Sequence, residues 1–222
     1  MATKAPNLSV VRGSDPVQRL VAAEGTGAHL YAASVELLSG RFATRNVADA
    51  VHYLCTLHGR HPGVSDHAAT RTAHEAARNW ILEAVDGFAS ERTYLTRLVV
   101  AAGPLPSTPG QAESEAAVTG QRHALEMLSQ SDRAGCASGA AVALVADWHA
   151  IRNLLDVAAD RLGVEKPPRR LPSAAACHDL VLALSTTPLI ERAINFGAQQ
   201  LIGQHRALWD LLEARQIARG ES

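Results

Sequence analysis

The sequence predicts an all-α protein, a single-domain helical bundle of six or seven helices. Apolar residues recur at intervals of three and four along most of the chain, which is the spacing of one helix face. No alternating strand pattern bounded by turns occurs. Hydrophobic residues make up 47% of the chain and aromatic residues only 4%. Such a core suits closely packed helices better than a β-sandwich.

The domain organisation follows from length and from breaker residues. A chain of 222 residues suits one domain or two small ones. Residues 1–14 are polar and are predicted to form a flexible N-terminal arm, and residues 15–218 the helical bundle. Residues 103–110 contain three prolines, which forbid a helix. We expect this Pro-rich loop to lie within the domain and to cross one end of the bundle, since the helices on both sides need partners.

Capping residues and glycines delimit the first two helices. Asp15 followed by Pro16 is typical of a helix start, because proline in the first turn loses no intrahelical hydrogen bond. We expect this helix to continue to Gly40. Asn46 is predicted to cap the second helix, which ends at Gly59.

The third and fourth helices flank the Pro-rich loop. Ser65 is predicted to cap a long third helix whose apolar stripe reaches Leu98. Within it, Gly87 indicates a kink or a point where a neighbouring chain segment approaches. Residues 111–129 are predicted to form the fourth helix.

The fifth helix is predicted to follow Asp132 and to continue to Leu162. It opens with residues 135–141, all of which have small side chains. Small side chains allow two helix backbones to approach each other, so this run predicts a close helix crossing.

The last two helices have clear start signals. Ser173 is predicted to begin a short sixth helix that ends near Leu184. Thr187 caps the last helix and Pro188 occupies its first turn. Its apolar stripe continues to about residue 218.

Four ionisable residues continue apolar stripes where core residues are expected: Glu24, His58, His74 and His205. A buried ionisable group needs a partner, and several such groups on facing helices can share one. The simpler interpretation is that each is a structural residue with its own hydrogen bond. For His58 that interpretation is strengthened by its place at a helix C-terminus, where a protonated imidazole offsets the helix dipole.

A metal or haem site is the alternative interpretation of these residues. The candidate ligands are Glu24, His29, His74, His149 and His205, and iron or haem is the cofactor such a site would hold, although the sequence requires neither. The Glu-x-x-His pattern of di-iron bundles is absent. A haem site needs only one axial histidine in an apolar pocket, a role for His29 or His205.

Other function classes lack their motifs. There is no Gly-x-Ser-x-Gly nucleophile turn and no Walker motif, and Gly25-Thr26-Gly27 lacks the preceding strand of a dinucleotide loop. A net charge of −1 predicts no binding to nucleic acid or anionic lipid. No apolar run suits a membrane span or a signal peptide. Three cysteines without metal-binding spacing indicate a reducing compartment, so we predict a cytoplasmic protein.

One segment resembles a known domain. Residues 94–110, with the run Ala-Ala-Gly-Pro-Leu-Pro-Ser-Thr-Pro-Gly at 101–110, resemble an uncharacterised bacterial all-helical domain of unknown function. This resemblance implies no activity and carries no functional residues. The likeness to haem-oxygenase-like and ferritin-like bundles is one of helix number and length, and is an analogy.

Two functions remain open at this point. The first is a non-catalytic helical protein that binds a protein partner or forms a homo-oligomer, with Trp148 or Trp209 on an exposed apolar patch. The second is a metal- or haem-dependent redox enzyme with its site in the bundle core. The second requires Glu24, His74 and His205, or a subset of them with His29 or His149, to converge.

Overall fold

The computed structural model describes residues 16–220 and confirms the all-α class, with no strand in that part of the chain. The predicted arm of residues 1–14 and the cap at Asp15 lie outside the described residues. Short 3-10 turns occur at Thr26–Ala28, Tyr31–Ala33 and Glu75–Ala77. The α-helices are α1 (Pro16–Glu24), α2 (Val35–Leu38), α3 (Ala43–His58), α4 (Val64–Arg71), α5 (Arg78–Ala102), α6 (Gln111–Ser129), α7 (Cys136–Leu162), α8 (Ala174–Leu184) and α9 (Pro188–Gly220).

There are more helices than predicted because two predicted helices are interrupted. The first ends at Glu24, and 3-10 turns and α2 follow it. The third is divided into α4 and α5 by residues 72–77. Gly87 does not interrupt α5. It lies where the loop before α8 packs, and a Cβ there would be 3.0 Å from the Arg170 carbonyl oxygen.

Helix starts were predicted best where a side chain caps the backbone. The Ser173 hydroxyl accepts a hydrogen bond from the Ala176 N–H, and the Thr187 hydroxyl accepts one from the Ile190 N–H. Asn46 is different, because it lies inside α3 and its side-chain amide donates to the Glu36 carbonyl oxygen. That prediction was wrong: Asn46 joins α2 to α3 instead of capping a helix.

The centre of the bundle is α7, in which 18 of 27 residues are buried, so neighbours surround it on most sides. Its main partner is α9. At the crossing, a Cβ on Gly139 would lie 2.1 Å from the Ile194 carbonyl oxygen, and a Cβ on Gly197 would lie 2.1 Å from the Cys136 carbonyl oxygen. The close crossing predicted from the small-residue run is confirmed.

The Pro-rich loop is attached to α9 and α3 by buried arginines. Arg215 donates to both Asp49 carboxylate oxygens and to the Pro106 carbonyl oxygen. Arg219 donates to Asp49 and to the Thr108 hydroxyl. One buried carboxylate therefore holds two guanidinium groups, and both groups also bind the loop. The domain boundaries themselves remain predictions.

No helix within residues 16–220 is long and apolar enough to cross a membrane.

The α7–α9 crossing predicts a difference between two glycines on the same helix. Gly197→Ala should lower the free energy of unfolding by about 1–3 kcal/mol, because the new methyl group collides with the α7 backbone. Gly203→Ala, where a Cβ meets nothing within 4 Å, should leave stability unchanged or raise it by up to ~1 kcal/mol. Urea unfolding of both variants measures this. Equal effects of the two substitutions would refute the tight crossing.

Candidate functional site

A fully buried carboxylate, Asp147 on α7, lies at the centre of the candidate site. Its Oδ1 accepts a hydrogen bond from the Thr26 N–H at 2.7 Å. Its Oδ2 accepts one from the Thr26 hydroxyl at 2.7 Å and lies 2.6 Å from Nδ1 of His205 on α9. When His205 carries its hydrogen on Nδ1, the Asp147 carboxylate accepts hydrogen bonds from all three of these groups. This set of donors offsets the cost of burying the charge.

The break after α1 is what allows Thr26 to reach this carboxylate. A Cβ on Gly25 would lie 2.5 Å from Asp147 Oδ1, so glycine permits the backbone to approach. Trp209 lies one turn after His205 on α9, and its indole N–H donates to the Thr26 hydroxyl at 2.9 Å. Since the indole is only a donor, the Thr26 hydroxyl accepts from Trp209 and gives its own hydrogen to Asp147.

The chain of hydrogen bonds continues from His205 to His58, the last residue of α3. Their Nε2 atoms are 2.9 Å apart and both side chains are buried. With a hydrogen on its Nδ1, neutral His205 has a bare Nε2, so His58 donates from Nε2. The basic lone pair is then on His58 Nδ1. We name this buried chain the Asp147–His205–His58 relay.

His58 is neutral at rest. Burial, and secondarily the neighbouring His205, lower the pKa of His58 well below its usual value of 6.5. The Trp148 ring packs edge-on to the His58 ring, with centroids 5.3 Å apart. Phe88 packs against the same indole. Burial beside the Trp148 indole and the neighbouring His205 both disfavour a positive charge on the His58 imidazole.

A small cavity of about 30 Å³ adjoins His58. Side chains from five helices line it, including Ser65 in the first turn of α4, Arg92 on α5 and Arg122 on α6. The Ser65 hydroxyl is buried and has no hydrogen-bond partner among the described residues. An unpaired polar atom in a polar cavity of this volume is a site for one or two waters or for a small polar ligand group.

A second buried network fixes the indole that covers His58. The Trp148 N–H donates to Glu91 Oε2 at 3.0 Å, and Glu91 Oε1 accepts from Arg152 at 2.6 Å. Arg152 also donates to Asp156 at 2.8 Å. Because each partner is itself held by another charged group, the Trp148 ring is fixed in one orientation. The fixed indole forms one wall of the space around His58.

Two of the four stripe residues meet and two do not. His58 and His205 face each other in the core. Glu24 and His74 are exposed, so the prediction that they face the core was wrong. The cause is the same for both: the predicted helix is interrupted, after Glu24 at the end of α1 and around His74 between α4 and α5. The stripe residues on the two sides of each break therefore do not belong to one helix face.

The other predicted ligands lie apart from the relay. His149 Nε2 is 3.0 Å from the Pro172 carbonyl oxygen. His29 Nε2 is 3.0 Å from Asp210 Oδ1, and Glu213 lies close to both. Within residues 16–220, these three residues form a group whose possible metal-ligand atoms all lie within 4.8 Å of one another. Asp210 and Glu213 belong to α9.

The two tryptophans proposed as interaction residues are fully buried. Trp148 binds Glu91 and Trp209 binds Thr26 through their indole N–H groups. The prediction that either lies on an exposed apolar patch was wrong, because each continues the core stripe of its helix. Neither is available to a partner.

The sequence reasoning did not select Asp147, Thr26 or Glu91 as site residues. A signal existed for two of them. Glu91 continues the apolar stripe of α5, and Asp147 lies three residues after Leu144 on the most buried helix. No signal marked Thr26, whose role depends on a helix break that the apolar spacing did not predict.

The lowered pKa of His58 predicts a pH-dependent stability. The unfolded chain binds a proton on His58 below about pH 6.5, and the folded protein does not until lower pH. The contribution of His58 to the free energy of unfolding should therefore be constant above this pH. It should fall as the pH drops below it, by up to ~1.4 kcal/mol per pH unit. Urea unfolding between about pH 7.5 and 5.5 measures this slope. His58→Gln should abolish the slope and His74→Gln should retain it; the same slope in both variants would contradict the assignment.

Comparison with known proteins gives a family without an activity. No curated protein and no solved structure is detectably similar to the chain. A family of unknown function matches residues 21–220, which include every residue of the relay. This match confirms the resemblance to an uncharacterised domain of unknown function. The chain therefore belongs to the family of unknown function DUF6975.

Proposed function

We propose that this protein is a hydrolytic enzyme in which His58 is the general base. The observation that carries the proposal is the Asp147–His205–His58 relay, which ends beside a polar cavity. A general base needs a neutral, basic atom near a site that a reactant can occupy. The sequence suggested partner binding through Trp148 or Trp209, but both side chains are buried and neither can contact a partner.

The relay supplies a path for one proton. A water in the cavity loses a proton to His58 Nδ1 as its oxygen attacks the substrate. His58 then passes its Nε2 hydrogen to Nε2 of His205, 2.9 Å away. The positive charge comes to rest on His205, whose Nδ1–H already faces the Asp147 carboxylate at 2.6 Å. The leaving group takes a proton when the relay runs in reverse.

The electrostatics of the relay favour transient over permanent protonation of His58. Burial keeps His58 neutral before the reaction. The Asp147 carboxylate stabilises an imidazolium on His205, as a buried carboxylate does for the histidine of a catalytic triad. Asp147 also holds His205 in one tautomer, so in this proposal His58 is the catalytic residue, and His205 and Asp147 are positioning residues.

A cytoplasmic location in a bacterium is part of the same proposal. Its support is that Cys55 and Cys136 are thiols outside any disulfide. Cysteines in this state are typical of a reducing compartment.

The activity test uses a panel of p-nitrophenyl carboxylate and phosphate esters. We expect the wild-type protein to turn over at least one ester. His58→Gln should lower that rate by about 10²–10⁴-fold, the usual contribution of a general base. His74→Gln removes an exposed histidine and should leave the rate unchanged. Turnover that survives His58→Gln, or the absence of turnover across the panel, would overturn the proposal.

A second candidate, a metal-dependent redox enzyme in the bundle core, has one observation in its favour. The Nε2 atoms of His58 and His205 converge, and the Asp147 carboxylate faces the other nitrogen of His205. Histidines that bind metal commonly have their second ring nitrogen held by a carboxylate in this way. Two imidazoles and cavity water would then be the ligands; Glu24 and His74 are too exposed to join them.

Metal analysis and a visible absorption spectrum separate the two candidates. The redox candidate predicts about one tightly bound metal ion per chain, lost in His205→Gln and retained in His74→Gln. The hydrolytic proposal predicts a folded wild-type protein that is colourless and metal-free after chelation and keeps its esterase activity. Retention of stoichiometric metal by His205→Gln would eliminate a core metal site.

A further inference from the structure

We propose that the cavity beside His58 binds an oxyanion, a carboxylate or phosphoryl group of the substrate, at the N-terminus of α4. This inference rests on the proposed function and names its substrate class. The residues that hold the anion are Ser65 and Arg122, with the first-turn N–H groups of α4.

The start of α4 provides hydrogen-bond donors. The first backbone hydrogen bond at this helix start runs from the His67 N–H to the Gly63 carbonyl oxygen. The N–H groups of Val64, Ser65 and Asp66 precede that bond and have no acceptor within the helix. Such groups, together with the helix dipole, favour an anion. The Asp66 side chain caps the Gly63 N–H, and Arg92 neutralises that carboxylate at 2.9 Å.

The Ser65 hydroxyl is the independent observation that indicates a ligand. This side chain lines the cavity, only 3% of the residue is exposed, and its Oγ finds no partner in the part of the chain that the structure describes. A buried hydroxyl without a hydrogen bond costs free energy, so its place in a polar cavity calls for a ligand atom or a water.

Arg122 supplies a positive charge at the same cavity as Ser65. Its Nε is buried and lies 3.5 Å from Glu126 Oε1, in an ion pair whose geometry is too poor for a hydrogen bond. The Glu126 carboxylate repels an anion. The charged groups at the cavity are, however, three arginines and two carboxylates: Arg60, Arg92, Arg122, Asp66 and Glu126. The balance is one positive charge, to which the α4 dipole adds.

The volume of the cavity limits what enters it. About 30 Å³ accommodates roughly two water-sized oxygens. A carboxylate or a phosphoryl group can present one oxygen there, which leaves room for the attacking water, while the rest of the substrate remains outside. The oxyanion then lies next to His58, so the reacting bond of the substrate is held near the base.

Titration with inorganic phosphate, and separately with acetate, tests the site by ¹H–¹⁵N NMR. At least one anion should shift the amide resonances of Val64 to Asp66 saturably. Arg122→Gln should weaken that binding by about tenfold, and Ser65→Ala by a smaller factor. Arg97→Gln removes an exposed arginine that pairs with Glu165 and should bind as the wild type does. Phosphate alone indicates a phosphoryl substrate, and acetate alone indicates a carboxylate substrate.

Two results would overturn the inference: no saturable shift in the first turn of α4 with either anion, or equal affinity in Ser65→Ala, Arg122→Gln and the wild type. Ser65→Ala keeps the test decisive if Arg122→Gln does not fold. The His205→Gln variant separates this inference from the proposed function. It should lose esterase activity and still bind the anion. If the wild-type protein binds the anion but His58→Gln keeps the esterase activity, the proposed function is refuted and the anion site is not.

Discussion

The burial of the Asp147 carboxylate is the constraint on which the rest of the site depends. A carboxylate without solvent is tolerated only when donors surround it, and removing one partner of such a buried charge typically costs about 3–5 kcal/mol. Here the donors come from the segment after α1 and from α9. The same interactions hold the segment after α1 against α7 and orient His205 toward His58.

The bundle brings α3, α7 and α9 together by two different means. Near the N-terminal ends of α7 and α9 the contact is a close backbone crossing at Gly139 and Gly197. Toward the C-terminal half of α9 the contacts are polar: His205 contacts Asp147, and Arg215 and Arg219 form ion pairs with Asp49. The glycine crossing determines how close the helices lie, and the buried ion pairs determine which side chains face each other.

His58 and His205 were predictable from the sequence because the apolar residues that define their stripes lie with them on one uninterrupted helix, α3 or α9, where spacing determines direction. Glu24 and His74 were predicted by the same reasoning, and their placement was wrong because a helix ends at one and is broken around the other. Thr26 was not predictable, because its part in the site arises from a local break that a distant carboxylate stabilises. The spacing of apolar residues predicts the direction of a side chain only within one continuous helix.

By itself, the sequence determined the all-α class, a close crossing at the start of α7 and several helix bounds, because periodicity, small residues and caps act over a few neighbouring positions. Tertiary structure decided which polar residues meet: Asp147, His205, His58 and Thr26 come from four segments. Their pairing depends on the free energy of a buried charge, which no local pattern encodes. The cavity beside them likewise exists only between packed helices.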